Sequence, residues 1–514
     1  MSSRNTMSSK KPSSTTSSTS GGSGLERVFN SPVAGRLAQY LDIADLISLS
    51  RASTRTYSAF KAIQKAQWSI NSFLSAYFTN PKAFRSVLGE CDAFISGSAA
   101  LQFFDRVRWS DSDLDIYVAE PNRRSEESAI KTMGIYLKDK EGYKFTPTSR
   151  QHPDFDIHGS EEAKKFTLSK PLDKESLDYS VFDSGIAGVY TFIKKSARKE
   201  RKVQIISTTG LPLQCVLRFH STVVQNVITW NKAYALFPTA TFIDRVTLVT
   251  APKREQEQKA LDKYQARGWS VVEYPGASFH KDRYVRDSYT WMIPFDNEGV
   301  TKPEKPDYVI EISGFSLESE PYKNTYICSS VTSGYLRYKY LCGFNDWHPE
   351  FMRRIDDILQ IEVQKSRPDD VELDWQAEAD QADLRTLLYS KKFVNAERER
   401  GGRTFYDNCV PLFFSKYLIK KKQERKKKEW QAAKFGEGYC HECSRRYSIQ
   451  DVVERAVNKL RSQYKGKAGW TTQHLLLGYQ LFEDSIKAEV FLGLDGGPDQ
   501  DEWLNRQLQM FVGS

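Results

Sequence analysis

Apolar and polar positions follow three rhythms along this chain. Residues 1–24 show none: "SSTTSSTSGGSG" has nothing to bury and cannot repay the entropy of ordering, so a flexible tail is expected. From Phe29 the rhythm is helical. Val33, Leu37, Tyr40 and Leu41 recur at steps of four, three and one, and Leu46, Leu49 and Ala52 at steps of three. Ser31 and Pro32 suit a helix cap and first position. The amphipathic pattern continues through "IQKAQWSINSFLSAYF" until Asn80-Pro81 interrupts it.

From Phe84 to Val249 the pattern alternates between strand and helix. "DAFISGSAALQFF" reads as strand, turn and helix, and "LDIYVA" as a strand. "SEESAIKTMGIYLKDK" reads as a capped helix. "IAGVYTFIKK" and "KVQIIS" read as strands joined by a basic hairpin. "CVLRFHSTVVQNVITWNKAYALF" predicts a helix. Beyond residue 251, "EQEQKALDKYQARGWSVVEYP" predicts helix, glycine stop and strand, and "SYTWMIPFD", "DYVIEISGF" and "GYLRYKYLCGF" predict strands. An acidic stretch at 369–383 predicts a solvated linker or helix face, residues 411–435 a basic helix, and the C-terminus a further helical pair.

The expected fold class is therefore α+β. Five segments are expected: a tail (1–24), a helical module (25–80), a mixed sheet with flanking helices (81–250), an α+β extension (251–410) and a basic helix with C-terminal helices (411–514).

Composition narrows the function classes. A chain of 514 residues with a net charge of +9 permits an acidic partner without demanding nucleic acid. Seven scattered cysteines do not form a disulfide framework. Neither a leader segment nor a membrane-length apolar run is found, so an intracellular protein with no membrane partner is expected. "KKKQERKKK" at 420–428 reads as a nuclear import signal, an anion-contacting patch or a solvated helix face, leaving cytoplasm or nucleus open. "CHEC" (Cys440, His441, Cys443) lacks the second pair that zinc needs, so no zinc is expected.

The candidate chemistry lies in "FISGSAALQFF…SDSDLDIYV". A glycine at the end of a strand lets backbone approach a phosphate, and Ser98 stands where a helix begins. Asp113 and Asp115 alternate along the next strand, so both project from one face; paired carboxylates of this kind hold a divalent cation. Asp111 reads as a loop or cap residue. "HPDFDIH" carries His152, Asp154, Asp156 and His158 at alternate positions; extended, they would share a face, but Pro153 and the surrounding Gly and Ser favour a solvated loop. His220 reads as a hydrogen-bonded core histidine.

Strand, Gly97-Ser98, helix and Asp113-x-Asp115 in this order resembles the nucleotidyltransferase fold of the polymerase-beta type. The resemblance covers about 160 residues. It implies that Gly97 and Ser98 contact the phosphates of a nucleoside triphosphate, and that Asp113 and Asp115 hold Mg²⁺ for in-line displacement at the α-phosphate. It also implies a third carboxylate on a later strand. "KVQIIS" offers Gln204 there, which cannot ionise or act as a base.

The N-terminal stretch "VFNSP…YL…ADLISLS" resembles the F-box of fungal proteins through Phe29, Pro32, Leu41, Asp45, Leu46, Leu49 and Ser50, with Val33-Ala34 where an acidic residue is usual. That resemblance implies a surface formed by Pro32, Leu41, Asp45, Leu46 and Leu49 for a ubiquitin-ligase adaptor protein. The favoured expectation is an adaptor with a degenerate nucleotidyltransferase-like domain. The alternatives are an active metal-dependent nucleotidyltransferase and, less favoured, a nucleic-acid binder using the basic helix.

Overall fold

The computed structural model describes residues 40–52, 54–110, 112–119, 128–170, 185–195, 200–250, 255–275, 279–320, 323–343, 347–365, 404–435 and 498–512, with Ala38 and scattered positions between 456 and 491. The tail, Phe29, Pro32, Asp111, the acidic stretch and the "CHEC" segment lie outside the described residues. The chain is mixed α+β and divides into two compact units after Gln67. No helix among the described residues is long and apolar enough to cross a membrane.

The first unit holds helices α1 (Ile43–Ala52) and α2 (Thr54–Gln67). Two aspartates start α1 by capping each other: Asp45 N–H donates to Asp42 Oδ1 at 2.7 Å, and Asp42 N–H donates to Asp45 Oδ2 at 3.2 Å. Ile43, Leu46 and Leu49 are buried.

The second unit opens with α3 (Ile70–Leu74) and α4 (Pro81–Glu90). The Asn80-Pro81 break is also a start. Asn80 Oδ1 accepts from Ala83 N–H at 3.1 Å, and Pro81 takes the first helical position, where its missing N–H costs nothing. Arg85 of α4 is fully buried. It donates to the carbonyls of Trp230 and Asp296 and to the side chains of Asn71 and Asn297.

There follow β1 (Phe94–Ser96), α5 (Gly97–Asp105), β2 (Leu114–Ala119), α6 (Ala129–Ile135), β3 (Lys144–Thr146), α7 (Glu161–Ser169), β4 (Ile186–Lys195) and β5 (Glu200–Thr208). After these come α8 (Pro212–Leu217) and the hairpin β6 (Asn226–Ile228) and β7 (Lys232–Ala235). The predicted helix over this region is thus corrected to a six-residue helix and two strands. Both strands are almost wholly buried, so the sequence shows a continuous apolar run in which periodicity cannot separate strand from helix. The turn decides it: Thr229 Oγ1 accepts from Lys232 N–H, and Val227 pairs with Tyr234.

Next come β8 (Val246–Leu248), α9 (Glu255–Ala266), β9 (Ser270–Val272), β10 (Asp282–Tyr284) and β11 (Trp291–Pro294). Gly268, at φ +100°, ends the α9 turn as expected. The chain continues through α10 (Tyr308–Glu311), β12 (Gly314–Glu320), β13 (Lys323–Val331), β14 (Tyr340–Gly343), α11 (Trp347–Lys365), α12 (Val410–Phe435) and α13 (Pro498–Val512). "DYVIEISGF" is a strand only from Gly314; its first half forms α10.

The main sheet has eight strands in the order β11-β7-β6-β1-β2-β5-β4-β3. Its edge strand β11 comes from beyond residue 250. Every pairing in it is antiparallel except β2 with β5, which run parallel. A second sheet runs β10-β12-β13-β14. Phe94, Tyr117, Ile206, Val227, Tyr234, Phe315 and Leu341 belong to one core cluster, to which both sheets contribute. A separate core joins Trp347 and Phe351 of α11 to Val410 and Phe414 of α12, and residues 422–427 further along α12 are exposed.

Candidate functional site

The Gly-Ser turn is dictated by space. Gly97 has φ +68°, and a Cβ there would lie 3.1 Å from Asp115 Oδ2, so a side chain would strain the backbone and press on the carboxylate. Ser96 does not cap α5. Its hydroxyl donates to the Asn226 carbonyl at 2.6 Å instead, tying β1 to β6. Ser98 Oγ lies 2.6 Å from Ser112 Oγ, in the loop just ahead of the aspartates.

Gln102, one turn along α5 and buried, fastens that loop. Its Nε2 donates to Ser112 Oγ at 2.7 Å and to the Ser98 carbonyl at 3.1 Å; its Oε1 accepts from Trp109 N–H at 2.6 Å. The position of Asp113 is therefore set from α5 as well as from β2.

Register places the rest. Asp115 stands opposite Ser96 of β1 and Gln204 of β5. Gln204 stands opposite Thr191 of β4, which stands opposite Thr146 of β3. Directly paired residues share a face, so a polar row crosses five strands. Gln204 Nε2 donates to Thr191 Oγ1 at 3.2 Å. Two residues earlier on β5, Lys202 Nζ donates to Asp113 Oδ2 at 2.8 Å.

The electrostatics follow from this crowding. Burial, then the charge of Asp113, pushes the Asp115 carboxyl up to about 7; Lys202 and Lys263 of α9 pull it back. Burial also raises the Tyr77 phenol, which feels Arg108, Asp115, Asp113 and Arg201. Sequence reasoning named Gly97, Ser98, Asp113, Asp115 and Gln204, and the fold brings all five together. It missed Lys202, Gln102, Ser112 and Thr191. Lys202 was findable, because it shares the alternation of Gln204.

The donor set does not fit the divalent cation that the nucleotidyltransferase resemblance implies. One carboxylate is ion-paired, the third position is an amide, and no group of three or more His, Cys, Asp or Glu among the described residues is placed to hold a metal ion.

The other residues singled out from sequence lie elsewhere. Asp154, Asp156 and their histidines do not share one extended face, since residues 155–157 form a 3₁₀ turn. Asp154 caps that turn, Asp156 pairs with Lys138, and His158 stacks on Phe155. His220 lies after α8, not inside a helix. Its Nδ1 is 2.8 Å from Ser221 Oγ, its ring stacks on Tyr264, and burial pushes its pKa down to about 4. Of the F-box-like residues, Leu46 and Leu49 are buried, Leu41 is half-buried and Asp45 is exposed. Comparison of the chain with known protein families, with curated proteins and with solved structures gives no match.

Proposed function

We propose that this chain is a non-catalytic adaptor. Its sheet domain is a nucleotidyltransferase-like binding module, and its N-terminal helices serve an F-box-like role in recruiting targets to a cullin-type ubiquitin ligase. The observation that carries the reading is the register of Asp115 against Gln204. The strand neighbour that would supply a third carboxylate supplies an amide, which neither ionises nor takes the proton of an attacking hydroxyl. The reading puts the protein in the cytoplasm or, through the basic run at 420–428, the nucleus.

Two experiments test it. Full-length protein is incubated with labelled nucleoside triphosphates and Mg²⁺ or Mn²⁺; the expected result is no more incorporation than by the Asp113→Ala/Asp115→Ala variant. Incorporation that this variant abolishes overturns the non-catalytic half. Capture of the ligase adaptor protein by full-length protein, and its loss on deleting residues 25–67, tests the recruiting half; no capture overturns it.

The second reading is an active nucleotidyltransferase that moves a nucleoside monophosphate to a hydroxyl acceptor. It is favoured by the close fit of Gly97 against Asp115. It needs Mg²⁺, and a third acid from a segment outside the described residues.

A further inference from the structure

Lys202 precedes Gln204 by two residues on β5, so its side chain leaves the sheet on the face that carries Asp115 and Gln204. It reaches the residue just ahead of β2, and its Nζ sits 2.8 Å from Asp113 Oδ2. The two side chains are 37% and 33% exposed, so the contact is partly shielded from water. It is also held from both ends: β5 is paired with β4 along its length and with β2 from Val203 onward, and the loop before Asp113 is pinned by Gln102.

A divalent cation drawn to this pair would meet a unit positive charge on the same carboxylate oxygen, in a setting where water screens charge incompletely. The strand neighbour offers it only a neutral amide. Lys263 of α9 adds a second positive charge near Asp115. Magnesium gives up its water reluctantly and needs anionic oxygens in return. The ammonium group already offsets part of the carboxylate repulsion that a metal would relieve.

We infer that Lys202 is a built-in counter-ion that takes the place of the divalent cation at Asp113 and keeps Mg²⁺ and Mn²⁺ out of the site. The inference rests on the non-catalytic reading and deepens it. It makes Lys202 a determinant of what the site accepts, alongside the missing third acid.

The test titrates Mn²⁺ into full-length protein and reads free Mn²⁺ by electron paramagnetic resonance. Wild type and Lys202→Arg, which keeps the charge, are expected to leave Mn²⁺ free at millimolar concentration. Lys202→Met should bind at least about tenfold more tightly, and Lys202→Met/Gln204→Asp more tightly again. Adding Asp113→Asn to Lys202→Met should abolish the gain. Lys202→Gln stands in for Lys202→Met if the latter does not fold. Two outcomes overturn the inference: wild-type binding as tight as that of Lys202→Met and lost in Asp113→Asn, or no binding by folded Lys202 variants and the double variant alike. Wild-type Mn²⁺ binding without nucleotide incorporation removes the counter-ion and leaves the non-catalytic reading standing. Incorporation by wild type removes both.

Discussion

Gln204 faces Asp115 across the parallel strands β2 and β5, and its amide nitrogen turns away to Thr191 Oγ1 at 3.2 Å. An amide at this position satisfies a sheet neighbour without adding charge beside a carboxyl that already sits near neutrality. Replacing it with an acid reverses that. Gln204→Asp is expected to lower stability by about 1 kcal/mol at pH 7, since like charges on facing strands repel. The loss should shrink at pH 5, where protonation removes the repulsion. Denaturation midpoints of wild type and variant at the two pH values check it; an equal loss at both would point to packing instead.

Gly97→Ala should cost about 1–3 kcal/mol. The new Cβ meets Asp115 Oδ2 at 3.1 Å, and φ +68° is unfavourable for alanine. Ala99→Gly on the same helix is the comparison: it changes helix propensity and removes a buried methyl, without this contact. Thermal melts rank the two; a harmless Gly97→Ala would disprove the close fit.

Gln102→Leu keeps the bulk but removes both donors and the acceptor that pin the loop before Asp113. The expected cost is about 1–3 kcal/mol. Hydrogen exchange should accelerate at Trp109, whose amide loses its acceptor, while β2 stays protected. Unchanged exchange at Trp109 would show that the loop is held by something else.

Arg85→Met should destabilise the second unit by about 3–5 kcal/mol, because the carbonyls of Trp230 and Asp296 lose a buried partner. Burial lowers the guanidinium pKa only to about 10, so Arg85 stays charged at neutral pH. Urea denaturation monitored by tryptophan fluorescence gives the size of the loss.

The His220 ring is neutral in the fold, with a pKa near 4 against 6.5 unfolded. The unfolded chain therefore binds the proton first as pH falls. Stability should decline between about pH 6.5 and 4, and this group should add no further loss below that. The full shift corresponds to about 3 kcal/mol, reduced by the ring's partial exposure to water. His220→Gln should flatten that part of the stability profile. An unchanged slope would assign it to other groups.

Much of this was legible in order along the chain. The Asn80-Pro81 boundary and the stop at Gly268 rest on contacts within a few residues, which sequence spacing records directly, and the strands around Asp115 and Gln204 show themselves by alternation. The hairpin β6–β7 was misread because a strand buried on both faces has no alternation to display.

The sequence by itself determined the residue types of the site: a glycine-serine turn, two alternating aspartates, and a glutamine where an acid was expected. Only the tertiary structure decided their meaning. Strand register set Gln204 against Asp115, and the parallel pairing brought Lys202 onto Asp113 from 89 residues away. Packing also set which of the F-box-like residues are buried, Leu46 and Leu49, and which is exposed, Asp45. Local pattern reports which atoms are present; it takes long-range pairing to say which charges share a face and which of them already have a partner.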